Sequence, residues 1–135
     1  MTAQELFNLT VGVMGQSISN SQTYADIYLP NLNTILADTF KLENNNRAYN
    51  DVKIPNTTPT LLTTIPTITS LSDVLNYQES VIRNVLVWGL ARQFALSDDD
   101  TMKTSFYAQQ YADGYNNENK AIPKPIIDYL DESVL

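Results

Sequence analysis

Residues 78–116, QESVIRNVLVWGLARQFALSDDDTMKTSFYAQQYADGYN, decide the fold because two apolar helical patterns flank a short acidic turn. The patterns predict helices over about residues 78–96 and 99–116. Consecutive helices joined by so short a connection pack as antiparallel neighbours. The stretch therefore predicts a helix pair at the centre of a small helical bundle. The core residues predicted for its first helix are Val81, Ile82, Val85, Leu86, Leu90, Phe94 and Leu96.

Two aromatic and glycine features describe how this pair packs. Gly89 costs about 1 kcal/mol relative to alanine in a helix interior, so it indicates close contact with another helix. Trp88 beside it widens the apolar face, and we expect its side chain to be largely buried. Gly114 is expected to mark the end of the second helix. The residues expected to line that helix are Met102, Phe106, Ala108, Tyr111 and Tyr115, with Tyr107 alongside; whether the tyrosines serve the core or an interface stays open.

The N-terminal third predicts two further helices. Thr2 followed by Glu5 is a capping-box pattern, which places a helix start at about Ala3. A second apolar period covers about residues 23–40. Pro30 interrupts it, so either the helix is kinked there or it begins there. We favour the kink because the period continues through the proline.

Residues 41–70 predict a different structure. An asparagine turn at residues 44–46 is followed by three prolines among many threonines, without helical period. This composition favours a long extended insertion, with a short two-stranded β-ribbon as one possibility. Its apolar side chains are candidate interface residues, because long loops of compact domains are usually functional. They are Leu61, Leu62, Ile65 and Ile68.

The C-terminal residues 121–135 predict a docking arm. They contain two prolines and an apolar cluster, and they are too few to form an independent unit. The candidate interface residues of this arm are Ile126, Ile127, Tyr129 and Leu130. The fold class expected is therefore mainly α: one domain over residues 1–135, with a bundle of about four helices, the insertion and the arm.

The composition excludes much chemistry. The chain has no cysteine and no histidine, so thiolate sites and the commonest general base and metal ligand are missing. The acidic cluster at residues 98–100 has no following glycine for a calcium loop, and it is expected to begin a helix. Arg83 and Arg92 are expected to form surface ion pairs. We therefore predict no catalytic residue, no cofactor and no enzymatic activity.

The net charge and the lengths of the apolar runs indicate which partners the protein is suited to. Fifteen acidic and eight basic residues give a net charge of −7, which disfavours gripping a phosphate backbone. No basic start typical of a signal peptide is visible, and no apolar run approaches the length of about 20 residues that spans a bilayer. We expect a water-soluble protein without a membrane partner.

The order of four stretches resembles the small helical head–tail adaptor, or connector, proteins of tailed phages. These are TAQELFNLTVGVMGQ (2–16), YLPNLNTILADTF (28–40), IPTITSL (65–71) and VIRNVLVWGLARQFALSDDDTMKTSFYAQQYADGYN (81–116). The features that carry the resemblance most are an Ala-Leu-x-Asp-Asp turn after an apolar helix and a following Phe-Tyr…Tyr row. They stand here at residues 95–99 and at Phe106, Tyr107 and Tyr111.

The resemblance implies a structural role at the head–tail junction of a virion. Copies of such a protein form a ring under the portal protein, extend the DNA channel and present a platform for a downstream neck or tail protein. DNA passes through the channel without specific binding. Two alternatives stay open: another neck or tail-completion protein, and a small regulatory protein that binds a host factor.

Overall fold

The computed structural model describes residues 1–16, 22–52 and 60–119. Within these ranges the chain contains no β-strand and is mainly helical, which confirms the mainly α character expected. These ranges contain five helices and not about four, because residues 40–52 add a helix where an extended insertion was predicted. The five helices are α1 (Ala3–Val13), α2 (Gln22–Asp38), α3 (Phe40–Val52), α4 and α5 (Thr101–Glu118). Helix α4 is continuous over three segments: Glu79–Val81, a π-helical turn at Ile82–Leu86, and Val87–Ser97.

Helix α1 begins with the expected capping box. The Glu5 amide donates to Thr2 Oγ1, and the Thr2 amide donates to Glu5 Oε2, each at 3.2 Å. These bonds satisfy two backbone amides that the first turn of a helix leaves without partners. Helix α2 runs through Pro30 without interruption, so the alternative start at the proline is wrong.

The expected extended insertion over residues 41–70 is wrong in its first part, because residues 40–52 form α3. The helical hydrogen bonds continue past the break at Thr39: its amide donates to the Ile35 carbonyl at 3.0 Å, and the Glu43 amide donates to the Thr39 carbonyl at 2.9 Å. The asparagines at residues 44–46 lie inside this helix and form no turn. Residues 60–70 are non-helical, and the β-ribbon is not seen in the part of the insertion that the structure describes.

Helices α4 and α5 are antiparallel neighbours, as predicted. Asn84 contacts Gly114, Gly89 contacts Tyr111, and Trp88 stacks on Tyr107, so contacts early in α4 lie late in α5. The Asp100 carboxylate accepts from the Lys103 amide at 3.1 Å and caps α5, which confirms the role expected of the acidic turn. Asp99 has a positive φ of 57°, a backbone conformation that Asp tolerates better than most residues.

The core draws on every helix and on the chain between α3 and α4. At its centre Phe7 of α1 and Tyr28 of α2 meet edge to face at 4.9 Å, and Tyr24 stacks on Phe94 at 4.6 Å. Two predictions for α4 need correction. Leu96 is exposed at the end of the helix, and Trp88 is half-buried, with its ring stacked on Tyr107. Gly89 does lie against other helices, since a Cβ atom there would fall 1.9 Å from Ile35 Cδ1.

Gly114 lies within α5 and does not end it. A Cβ atom at this position would fall 1.8 Å from the carbonyl oxygen of Asn84, in the π-helical turn of α4. Only glycine permits this approach without displacing backbone. Separately, no helix within the described ranges is long and apolar enough to cross a membrane.

Candidate functional site

Residues 60–78 lie between α3 and α4 and are non-helical. We call them the connecting segment. Two asparagine side chains hold it by paired hydrogen bonds. Asn44 of α3 accepts from the Leu62 amide at 2.9 Å and donates to the Leu62 carbonyl at 3.1 Å. Asn33 of α2 does the same for Ile68, at 2.7 Å and 2.9 Å. Each asparagine side chain thereby pairs with the amide and the carbonyl of one residue, as a neighbouring β-strand would do.

The far end of the connecting segment is bound to the start of α1. The Ala3 amide donates to the Asp73 carbonyl and the Gln4 amide to the Leu71 carbonyl, both at 2.9 Å. These are further amides that the first turn of α1 cannot pair internally. The Asp73 carboxylate accepts from the Thr69 and Ser70 amides, and these bonds lower the pKa of that carboxyl. The segment is thus held at both ends.

The connecting segment divides the predicted interface residues into two classes. Ile68 is 5% exposed and Leu62 is half-buried against the core, so both serve the chain's own packing. Leu61 and Ile65 are 47% and 49% exposed. The segment exposes two more large apolar side chains. We call its exposed apolar residues the segment surface: Leu61, Ile65, Leu71 and Val74.

The other predicted interface residues, Ile126, Ile127, Tyr129 and Leu130, lie outside the described residues. Nothing in the structure places them relative to the segment surface.

A second exposed apolar area lies on α5 and was missed by the sequence analysis. Met102 and Phe106, 85% and 56% exposed, are one turn apart; we call them the α5 surface. They were expected to line the helix on the same face as Tyr111. Five residues separate Phe106 from Tyr111, which at 100° per residue places them about 140° apart around the helix. Helical spacing counted from the buried Tyr107 would have found the exposed pair.

The tyrosine row of α5 belongs chiefly to the core. Tyr107 is buried, and Tyr111 and Tyr115 are half-buried against the core cluster. Burial raises the pKa of both Tyr107 and Tyr111 above the usual tyrosine value. These side chains therefore fix α5 on α4 and leave its opposite face to the α5 surface.

A buried polar network joins α3 to the start of α4 and the end of α5. The fully buried Glu43 accepts from Arg47 Nε at 2.6 Å and from the Gln78 amide at 3.0 Å. Asn46 donates to Glu118 Oε2 at 2.9 Å and accepts from Gln78 Nε2 at 2.8 Å. In the described part of the chain no buried side-chain polar atom lacks a partner. The network is therefore complete, and we interpret it as structural.

Outside this network, the charged side chains form one ion pair within the described ranges. No group of three or more acidic side chains within the described ranges could hold a metal ion. Arg83 forms the expected surface ion pair, its Nε lying 2.6 Å from Glu79 Oε2. The Arg92 guanidinium forms no ion pair or hydrogen bond with any described residue, so the surface ion pair expected for it is not found there. The side chains best placed to act are those of the segment surface and the α5 surface.

Comparison of the chain with protein-family models, with curated proteins and with solved structures gave no significant match.

Proposed function

We propose that this protein is a structural head–tail adaptor, present in several copies as a ring between the portal and the tail of a phage particle. The observation that carries the proposal is the segment surface. It exposes Leu61, Ile65, Leu71 and Val74 on a segment that is fixed to the bundle. Four large apolar side chains exposed on one segment support a protein–protein contact there.

The fixed geometry of the segment favours a docking role. The paired bonds from Asn33 and Asn44 hold its backbone before any partner arrives. Binding then requires little further ordering of the chain, and ordering is a major cost of association. A free loop with the same residues would bind more weakly.

A second, unlike surface supports assembly into a ring. A ring closes through heterologous contacts, in which one face of a subunit meets a different face of the next. Met102 and Phe106 stand on α5, whereas Leu61 and Ile65 stand on the connecting segment, which is bound to α1, α2 and α3. The protein thus presents two apolar surfaces on different elements.

The sequence supports the specific form of the proposal. Four ordered stretches resemble the adaptor family, and a chain without histidine or cysteine is poorly equipped for most catalysis. A net charge of −7 suits a ring through which DNA passes without sticking. The portal, a downstream neck or tail protein and further copies of the chain are the partners proposed.

Deleting the gene tests the function. We expect the mutant to yield heads without attached tails, and we expect purified particles of the parent to contain the protein in several copies. Normal tailed particles from the mutant, or particles without the protein, would overturn the adaptor role. A regulatory protein that binds a host factor would then be the better reading.

Truncation tests the arm proposed at residues 121–135. We expect a chain ending at residue 120 to keep its helical circular dichroism and its thermal transition, because all five described helices end before that residue. We expect its attachment to heads to weaken. Undiminished attachment of the folded, shortened chain would exclude the arm from docking.

A further inference from the structure

A pocket of about 170 Å³ opens between α2, α4 and α5. Asn31 and Asp38 line it from α2, Arg92 and Gln93 from α4, and Tyr111 from α5. Gly89 forms part of its wall. The volume is close to that of a cavity known to hold benzene, about 150 Å³, so a small side chain fits.

Arg92 distinguishes this pocket from the rest of the surface. The other two arginines in the described ranges are engaged: Arg47 with the buried Glu43, and Arg83 with Glu79. Arg92 is half-buried, and its guanidinium has no ion pair or hydrogen bond with any described residue. A guanidinium has a rigid fork of donors that matches a carboxylate. The pocket therefore presents a guanidinium whose donors are available to a carboxylate.

Asp38 gives the pocket a second charge of opposite sign. Its exposed side chain has no ion pair or hydrogen bond with another side chain or backbone group in the described part of the chain. Both charges act on Tyr111: burial raises the pKa of its phenol most, Asp38 raises it further and Arg92 lowers it. The two opposite charges therefore both lie close enough to Tyr111 to act on it, and no ion pair joins them.

We propose that this pocket binds an acidic side chain of a partner protein together with the peptide N–H that precedes it. The carboxylate lies against Arg92 and accepts from the side-chain amide of Gln93, while Asp38 accepts the N–H of the partner's backbone. A lone carboxylate satisfies only the Arg92 side of this pocket, whereas an acidic residue within a peptide satisfies both sides. The site differs from the segment surface and the α5 surface and does not depend on the adaptor role.

A titration followed by NMR tests the site on the intact protein. The probe is N-acetyl-glutamate α-amide, with N-acetyl-glutamine amide as its neutral counterpart and propionate as a carboxylate without an N–H. With the first probe, we expect saturable shifts of three signals: the Arg92 side-chain N–H, the Gln93 side-chain amide and the Tyr111 ring. We expect weaker binding of propionate and no saturable binding of the neutral probe.

The chain offers a matched control for the arginine. Arg92→Gln should weaken binding of the glutamate probe at least about tenfold, because a charge-assisted bidentate bond is lost. Arg83→Gln removes the same charge from the same helix and should change binding less than about twofold. Equal loss in both variants, or shifts spread over the whole surface, would show a general charge effect and overturn the site.

Asp38→Asn tests the second half of the proposal. If Asp38 accepts the backbone N–H, this variant weakens binding of the glutamate probe and leaves propionate unchanged. Tighter binding of both probes would show that Asp38 competes with the ligand for Arg92, and would overturn the two-point form. Neither result bears on whether particles need the protein, which the gene deletion decides.

Discussion

The α4–α5 pair and the connecting segment are held in the bundle by different interactions: packing in the first and hydrogen bonds in the second. The helix pair is joined by apolar and aromatic packing and by two glycines that permit close approach. The connecting segment is held by side-chain amides and helix-terminal amides that bond its backbone. The first kind of contact depends on volume, and the second depends on donors and acceptors at set positions. The two regions should therefore fail under different substitutions.

Gly114→Ala should have the largest effect, and it should act on the helix pair alone. The new Cβ would meet the Asn84 carbonyl, which is backbone and cannot rotate away. We expect a loss of about 3 kcal/mol in the free energy of unfolding, as for severe overpacking. Urea denaturation measures it.

Gly12→Ala is the matched control, because Gly12 also lies within a helix but a Cβ there would meet nothing within 4 Å. It should gain up to about 1 kcal/mol from helix propensity. If the two variants changed stability alike, the close approach of α4 and α5 would not be what requires glycine at position 114.

Asn33→Ala should have the next effect and should act on the connecting segment. Two hydrogen bonds to Ile68 are lost, one in each direction, at a cost of about 2 kcal/mol. Hydrogen exchange should show faster exchange of the Ile68 amide, while amides within α4 and α5 change only with global stability.

Asn44→Ala should do the same at Leu62. Asn116→Ala, at an exposed position of α5, should stay within about 0.5 kcal/mol. Unchanged protection of the Ile68 amide in Asn33→Ala would refute the role given to the asparagine pair.

Tyr24→Phe should have the smallest effect, at the turn between α4 and α5. The Tyr24 hydroxyl donates to Asp98, and its loss should cost about 1 kcal/mol at neutral pH. Burial, followed by the contact with Asp98, raises the pKa of Tyr24 from 10.0 to about 12. Because the folded pKa lies above the unfolded one, its contribution is complete below pH 10 and is lost as the pH rises toward 12.

Unfolding by urea at pH 8, 10 and 11 checks this alkaline prediction. The parent should lose stability above pH 10, and Tyr24→Phe should lose less over the same interval. Burial also raises the pKa of Tyr77 to about 12, so both proteins should lose some stability at high pH through this residue. Identical pH profiles would show that Tyr24 is not the group responsible.

Sequence reasoning found the elements whose signal is apolar periodicity. It predicted α1 with its capping box, the passage of α2 through Pro30, and the antiparallel pair, because burial imposes a visible spacing. It failed where polar side chains do the packing. Helix α3 buries Glu43 and Asn46, and its asparagines looked like a turn until their partners were known.

The candidate site was predicted only in part for the same reason. Leu61 and Ile65 stand out in the sequence, but so do Leu62 and Ile68, and only the contacts of Asn33 and Asn44 decide which pair faces inward. On α5, periodicity alone could have separated the exposed Phe106 from the buried Tyr107. The pocket at Arg92 forms where three helices meet, so no short stretch of sequence predicts it.

Co-sedimentation with purified portal rings tests the proposed adaptor role most directly. The variant Leu61→Ser with Ile65→Ser removes apolar area from the segment surface, and Thr63→Ser with Thr67→Ser removes only methyl groups from the same segment. Both should keep the thermal transition of the parent. We predict that the first binds portal rings about a hundredfold more weakly and the second binds almost as the parent does. Equal binding of the parent and the folded Leu61→Ser, Ile65→Ser variant would contradict the account.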